Sequence, residues 1–235
     1  MLKIETHKNR LTDDIKSLAE NYRFKPYFFV NAASEEGLRN IFLARIGKFL
    51  AKCEDSAHAG FFTANDESGK PLGFIGVEVL DFDTAVLKIP SGRIVFCVVD
   101  DDYAKGRPVA DALINASMAW LSERGIVFTN ARTAALELPL IHALESSGYY
   151  LVDNGITALY HKENAPAYEK ASYDIRLFSG NDLNTVLEIM RGAYTHDRFH
   201  LDPKIPYDAA EELYQVWIHH CAMSPKDQEW VLVAE

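Results

Sequence analysis

The sequence predicts an α/β chain of the α+β kind, built on a mixed sheet, and three observations carry that reading. Short apolar runs rich in β-branched and aromatic residues alternate with longer stretches whose apolar residues recur at helical spacing. The run Ile94-Val-Phe-Cys-Val-Val99 is continuous and apolar, as a strand buried on both faces requires. The next stretch changes period. Val109, Leu113, Ala116 and Trp120 make one helical stripe, with Ala110, Ile114 and Leu121 beside it, and Gly125 supplies a stop.

Charge and composition narrow the function classes. The 235 residues carry 24 Lys and Arg against 34 Asp and Glu, and the resulting charge of −10 argues against nucleic acid as a main partner. No apolar run approaches a membrane span, and Met1-Leu-Lys-Ile-Glu-Thr-His-Lys8 lacks the apolar centre of a secretory leader. Cys53, Cys97 and Cys221 are odd in number and widely spaced, so they read as reduced thiols of a cytoplasmic chain.

In chain order, residues 1–24 are polar and read as an N-terminal arm or helix. Tyr27–Val30 is a short strand candidate. Ser34 then caps a helix with Glu35 and Glu36 in its first turn and Leu38, Ile41, Phe42, Ile46, Phe49 and Leu50 on its apolar face. Gly60–Ala64 and Pro71–Leu80 form strands joined by the turn residues Asn65–Gly69, and Leu80–Ala85 leads on to the central strand. Asp100–Pro108 reads as a turn, with the helix proper from Val109. Ile126–Thr129 is a strand and Glu137–Ser147 a helix stopped by Gly148. Tyr149–Val152 and Ile156–Tyr160 pair as a hairpin across Asp153-Asn-Gly155.

These elements make one domain over residues 25–162, followed by a linker at 163–171. Residues 172–235 then restart the plan. Tyr173–Phe178 is a strand, Ser179 a cap, and Leu183, Val186, Leu187, Met190 and Tyr194 a helical stripe, about 145 residues after the matching Ser34–Leu38 spacing. A helix near 208–221 and an apolar strand at Glu229–Glu235 follow. A domain ending on such a strand would leave an open edge, so this second unit is read as incomplete.

A strand feeding a glycine-containing turn and a helix N-terminus suits a phosphate, because free N–H groups and the positive end of the dipole converge there. The residues at that point are Lys105-Gly106-Arg107-Pro108-Val109-Ala110. A plain helix start with Pro108 at the first helical position accounts for the same letters. Asp100, Asp101 and Asp102 leave the strand at this mouth and could act as a base or water relay, or simply cap the helix. Tyr194, Arg198, Phe199, Tyr214 and Trp217 suit a pocket for a sugar or base with an arginine for phosphate, and equally the core and rim of a helical hairpin. His196 and His200 have helical ligand spacing and His219-His220-Cys221 is a second cluster, but neither completes a ligand set, so no metal is expected.

The order strand, helix, three strands, turn, helix, strand, helix, hairpin resembles the GCN5-related N-acetyltransferase (GNAT) superfamily. Its turn is written Gln/Arg-x-x-Gly-x-Gly/Ala, matched here by Lys105 to Ala110. The resemblance implies acetyl-CoA as cosubstrate. Phe96, Val98 and Val99 would touch its pantetheine, Lys105, Gly106, Arg107, Val109 and Ala110 its pyrophosphate, and Asp100 and Asp102 would carry the proton chemistry. Pro108 stands where the family has its central glycine and has no N–H to give. One lost hydrogen bond to a charged phosphate costs roughly 1.5–3 kcal/mol, about ten- to a hundred-fold in affinity. The family's proton-donating tyrosine aligns with Leu144, which cannot protonate a thiolate. Ala193–Pro203, Tyr214–Ile218 and Leu80–Thr84 resemble the tandem dTDP-fucosamine acetyltransferase group, which pairs a defective first half with a catalytic second half. The reaction implied is N-acetylation of a primary amine on a small molecule, a nucleotide-linked amino sugar among the acceptors. The alternative is a non-catalytic scaffold. No nucleic-acid or membrane partner is expected, and a homodimer remains open.

Overall fold

Among the described residues, the elements of the N-terminal part in chain order are β1 (Lys3–Thr6), α1 (Asp13–Asn21), α2 (Glu35–Lys52), β2 (Ala59–Asn65), β3 (Pro71–Val79), α3 (Asp81–Leu87), β4 (Ser91–Val98), α4 (Tyr103–Ser122), β5 (Phe128–Ala131) and α5 (Leu138–Ser146). The structure, a computed structural model, describes residues 2–6, 10–30, 33–54, 57–158, 172–224 and 230–235. It resolves into two units, residues 1–84 with 89–150 and residues 85–88 with 151–235. The linker expected at 163–171 lies outside the described residues.

The sheet of the first unit runs β1-β2-β3-β4-β5, antiparallel except for the parallel pair β4–β5. This is the mixed sheet expected. A parallel pair needs a crossover, which α4 supplies. Side chains alternate along β4, so it feeds two cores. Ile94, Cys97 and Val99 join Val109, Leu113 and Ile114 of α4 and Leu140, Ala143 and Leu144 of the α5 region on one face. Phe96 and Val98 join Ile15 and Ala19 of α1, Phe42, Ile46 and Phe49 of α2, and Phe61 and Phe74 on the other. A bulge between Gly76 and Val77 leaves Val95 without an opposite residue, so Val95 and Phe96 both turn toward α2. Gly76 makes room for this, since an added Cβ would lie 2.7 Å from the Phe96 ring.

Several elements differ from expectation. The polar N-terminal stretch holds a helix, one of the two forms expected for it, in α1, capped by Thr12, whose hydroxyl accepts the Ile15 N–H at 3.4 Å, and adds the unexpected strand β1, paired along β2. β1 adds as an edge strand, where exposed polar residues cost nothing. Tyr27–Val30 is a pair of turns, not a strand, and Tyr27 has φ 64°. The Leu80–Ala85 segment contributes to helix α3. β5 lies two residues beyond the expected Ile126–Thr129 at its C-terminal end. Residues 149–158 form no strand, so the expected hairpin is absent from the described residues, and 159–160 fall outside them. Ser34 caps α2 as expected, accepting the Gly37 N–H at 3.0 Å.

The second unit contains β6 (Ile175–Leu177), a 3-10 turn (Gly180–Asp182), α6 (Leu183–Met190), α7 (Arg198–Leu201), α8 (Tyr207–Met223) and β7 (Leu232–Ala234). β6 and β7 pair antiparallel, so the strand expected to stand alone has a partner. Ser179 and Asp182 form a reciprocal capping box, and Arg176 grips Asp182 at 2.7 and 2.9 Å. Among the described residues no helix is long and apolar enough to cross a membrane.

Candidate functional site

In the first unit β5 ends before β4 does, and the last four residues of β4 run on past it. β4 and β5 are in register from Ser91↔Phe128 to Ile94↔Ala131, where the ladder stops. β4 continues, paired with β3 as far as Phe74↔Val98. Over Val95–Val98, among the described residues, β4 therefore has an edge with no strand beside it. A sheet edge of this kind offers N–H and C=O groups to an extended ligand. The edge leads straight into the start of α4.

That start is not the open turn expected. The helix begins at Tyr103, six residues before Val109, so Lys105 to Ala110 are helical. Asp102 is its cap. One carboxylate oxygen accepts the Ala104 N–H at 3.0 Å and the Lys105 N–H at 3.2 Å, while the Asp102 carbonyl accepts the Gly106 N–H at 2.8 Å. Asp100 in turn accepts the Asp102 N–H at 2.9 Å. The expectation that the N–H groups of Lys105 and Gly106 are free is thus corrected. Asp102 satisfies them because a short acceptor just before a helix meets its first donors.

Gly106 is there for packing. A Cβ on it would sit 2.0 Å from the Asp100 carbonyl oxygen, so α4 passes directly over the end of β4. Pro108 is inside the helix, where the N–H it lacks would be aimed at the preceding turn's carbonyl rather than at a ligand. Val109 and Ala110 are buried under the sheet, and Phe96, Val98 and Val99 are buried too. Phe96 meets Phe42, Phe49, Phe61 and Phe74 ring to ring. These β4 residues can meet a ligand only through their backbone. Lys105 remains exposed. Arg107 is tied to Asp111 at 2.9 Å, the Tyr103 hydroxyl at 3.1 Å and Ser146 at 2.8 Å, and Tyr103 reaches His142 Nδ1 at 3.0 Å. Tyr103, Arg107 and Asp111 lie four residues apart, a helical spacing concealed by starting the helix at 109.

Near the open edge of β4, close enough to act on Cys97, lies a carboxylate that sequence reasoning missed. Glu137, just before α5, is 2% exposed. Its Oε1 accepts the Tyr22 hydroxyl at 2.5 Å and its Oε2 the Thr133 hydroxyl at 2.7 Å. Burial pushes the Glu137 carboxyl above its usual range, against the pull of these two donors. Burial and the Glu137 charge together push the Tyr22 phenol up, and the same two causes raise the Cys97 thiol, on the open stretch of β4. Tyr22 and Glu137 are 115 residues apart, and no periodicity links them.

In the second unit the structure brings together the aromatic residues singled out from the sequence. Tyr194 stacks on Tyr214 at 4.3 Å, Phe199 and Trp217 meet the same ring edge-on at 6.1 and 6.2 Å, and the Arg198 guanidinium lies 4.5 Å over Phe199. α6 ends before Tyr194, which is therefore presented from a loop. Phe199 is buried, while Tyr194 and Trp217 keep exposed faces. His200 is enclosed, with Asp197 on Nδ1 and Glu211 at 3.2 Å from Nε2. Burial and the adjacent Asp197 push the Tyr214 phenol up. His196 precedes α7 and pairs with Thr195 at 2.7 Å, so it and His200 do not share a helix. Among the described residues no group of His, Cys, Asp and Glu could hold a metal ion.

A cavity of about 330 Å³ lies at the other end of the sheet, lined by Lys52, His58, Ala59, Glu78, Val79 and Asp81. Its buried Glu78 is held by Lys52 at 3.2 Å and Arg93 at 2.7 Å. None of the candidate site residues named from the sequence lines it, although Asp81 belongs to the Leu80–Thr84 stretch that carries part of the resemblance.

Comparison with known proteins bears on the first unit. A family model described as Acetyltransferase (GNAT) family matches residues 19–149. The fold is similar to an acetyl transferase from Pyrococcus furiosus, with a TM-score of 0.51 and 21% identity over 68% of this chain and 100% of that one. A GCN5-related N-acetyltransferase from Ralstonia eutropha aligns with a TM-score of 0.46 and 19% identity over 68% and 99%. AAC(6')-Iy, in complex with a CoA-containing bisubstrate analog, aligns with a TM-score of 0.44 and 16% identity over 68% and 99%. No curated protein matches in sequence. The stretch matched by the family model takes in α2, the open edge of β4 and the start of α4, and it exceeds half of the sequence: the chain belongs to the acetyltransferase (GNAT) family.

Proposed function

We propose that the protein transfers an acetyl group from acetyl-CoA to a primary amine of a small molecule. The observation that carries this reading is the unpartnered β4 edge over Val95–Val98, which runs into the N-terminus of α4 in a chain of this family. The pantetheine arm would add along that edge through backbone hydrogen bonds, so the burial of Phe96 and Val98 is no obstacle. Lys105, exposed on the first turn of α4, would supply positive charge to the pyrophosphate. The amine would attack the thioester carbonyl, with the edge N–H groups taking up the developing oxyanion charge. A nucleotide-linked amino sugar is the acceptor we favour, on the grouping of Tyr194, Arg198, Phe199, Tyr214 and Trp217 in the second unit.

One observation favours a second reading, a non-catalytic scaffold. The first donors of α4 are already satisfied by Asp102, which leaves the helix start poorer in free N–H groups than a phosphate site needs. Calorimetry with acetyl-CoA, together with thiol release in the presence of a panel of primary amines, separates the two. Amine-dependent release of CoA supports transfer. Absence of both binding and release at millimolar acetyl-CoA supports the scaffold.

A further inference from the structure

Beside the open edge of β4, close enough for the Glu137 charge to act on Cys97, lies a hydrogen-bonded chain of three side chains. Tyr22, half-buried at the end of α1, donates to Glu137, which is buried, and Glu137 also accepts from Thr133 in the loop that follows β5. The groups facing the carboxylate are Tyr22 from α1, Thr133 and the Ala134 backbone from the β5–α5 loop, and Cys97 from β4. The Cys97 thiol is buried and its proton firmly held, so it does not compete for the transferred proton. A carboxylate in this position is costly unless it is fully hydrogen-bonded, and here both side-chain donors are hydroxyls, which pass protons as well as hold them.

We propose that Tyr22 and Glu137 form the proton relay that deprotonates the acceptor amine. This rests on the acetyl-transfer reading above. The amine arrives as an ammonium ion. One of its protons moves to the Tyr22 oxygen while the Tyr22 proton passes to Glu137 Oε1, which leaves a neutral amine and a protonated carboxyl. The amine lone pair closes on the acetyl carbonyl carbon. The C–S bond then breaks with its electron pair on sulfur, and a second nitrogen proton leaves to that thiolate, giving the amide and the free thiol. Glu137 returns its proton to water through Tyr22. A carboxyl raised by burial sits nearer the working pH than an exposed one, as a general base should.

The test is the pH profile of kcat/KM for CoA release in the wild-type chain and in Tyr22→Phe, Glu137→Gln and Thr133→Val. The relay requires each of the first two variants to lose about 100-fold or more. The double variant should be no worse than either single one. Glu137→Gln should also remove the acidic limb of the profile. Thr133→Val should move that limb to higher pH while keeping most of the rate, because it deletes one donor that holds the carboxyl down. If Tyr22→Phe and Glu137→Gln stay within about threefold of wild type with the acidic limb in place, the relay is wrong and acetyl transfer stands. If the wild-type chain releases no CoA with any amine, the acetyl-transfer reading fails and takes the relay with it. Should Glu137→Gln not fold, Tyr22→Phe decides, since its ring keeps its contacts with Phe24 and Phe42.

Discussion

Replacing Gly106 by alanine tests whether α4 begins at Tyr103. With the helix in place, the new methyl group would lie 2.0 Å from the Asp100 carbonyl oxygen, whereas ordinary contact begins at 3.4 Å. Helix and strand end would have to part by about 1.4 Å, backbone against backbone, with no rotamer change to relieve it. Overpacking of this kind belongs at the upper end of its range, about 3 kcal/mol. The higher helix propensity of alanine returns about 1 kcal/mol. The net loss of about 2 kcal/mol should lower the melting temperature by about 4–8 °C. Gly47→Ala is the control. Gly47 lies inside α2 with nothing within 4 Å of the new methyl, so it should gain up to about 1 kcal/mol. Differential scanning calorimetry on both variants reads the contrast. A Gly106→Ala protein as stable as wild type would mean that residues 103–108 form an open turn, and the packing argument would fall.

Removing the cap should also be felt in stability. Asp102→Ala strips the acceptor from the Ala104 and Lys105 N–H groups and should cost about 1 kcal/mol in urea denaturation, most of it recovered by Asp102→Asn. Glu137 should give stability a pH slope. Its folded pKa is raised above the 4.5 of an ordinary glutamate, so the folded state holds the proton longer than the unfolded chain does. Its contribution is fully present below pH 4.5 and is lost as pH rises through the folded pKa, a fall in urea midpoint that Glu137→Gln should flatten. Thiol labelling should distinguish the cysteines. Burial pushes Cys53 up to about 11, aided by the Glu78 charge, and burial and the Glu137 charge raise Cys97 as well, whereas Cys221 is only partly buried. A disulfide reagent on the native protein should modify Cys221 first, and the other two should react only on unfolding.

Much of this protein is legible from its residues in order. Short apolar runs and the Asn65–Gly69 turn located β2, β3 and β4, which are buried along most of their length, and helical period located α2 and α8. The order of elements was enough to expect a mixed sheet, and the capping roles of Ser34 and Ser179 follow from a hydroxyl placed just before a helical stripe. Other features were open to either reading. The letters Lys105 to Ala110 suit both an open turn and a helix start, and only the passage of α4 over Asp100 shows that they are helical. β1 has no apolar alternation to announce it, since an edge strand needs burial on neither side when its ladder to β2 supplies the hydrogen bonds.

What tertiary structure decided is the meeting of groups distant along the chain. Nothing local to Tyr22, Thr133 or Glu137 marks them, because their joint character arises from burial and from donors that arrive on separate elements. The open edge of β4 past Ile94 belongs to the same class. A strand's own sequence fixes which faces it buries, but which edge goes unpaired depends on where its neighbour ends.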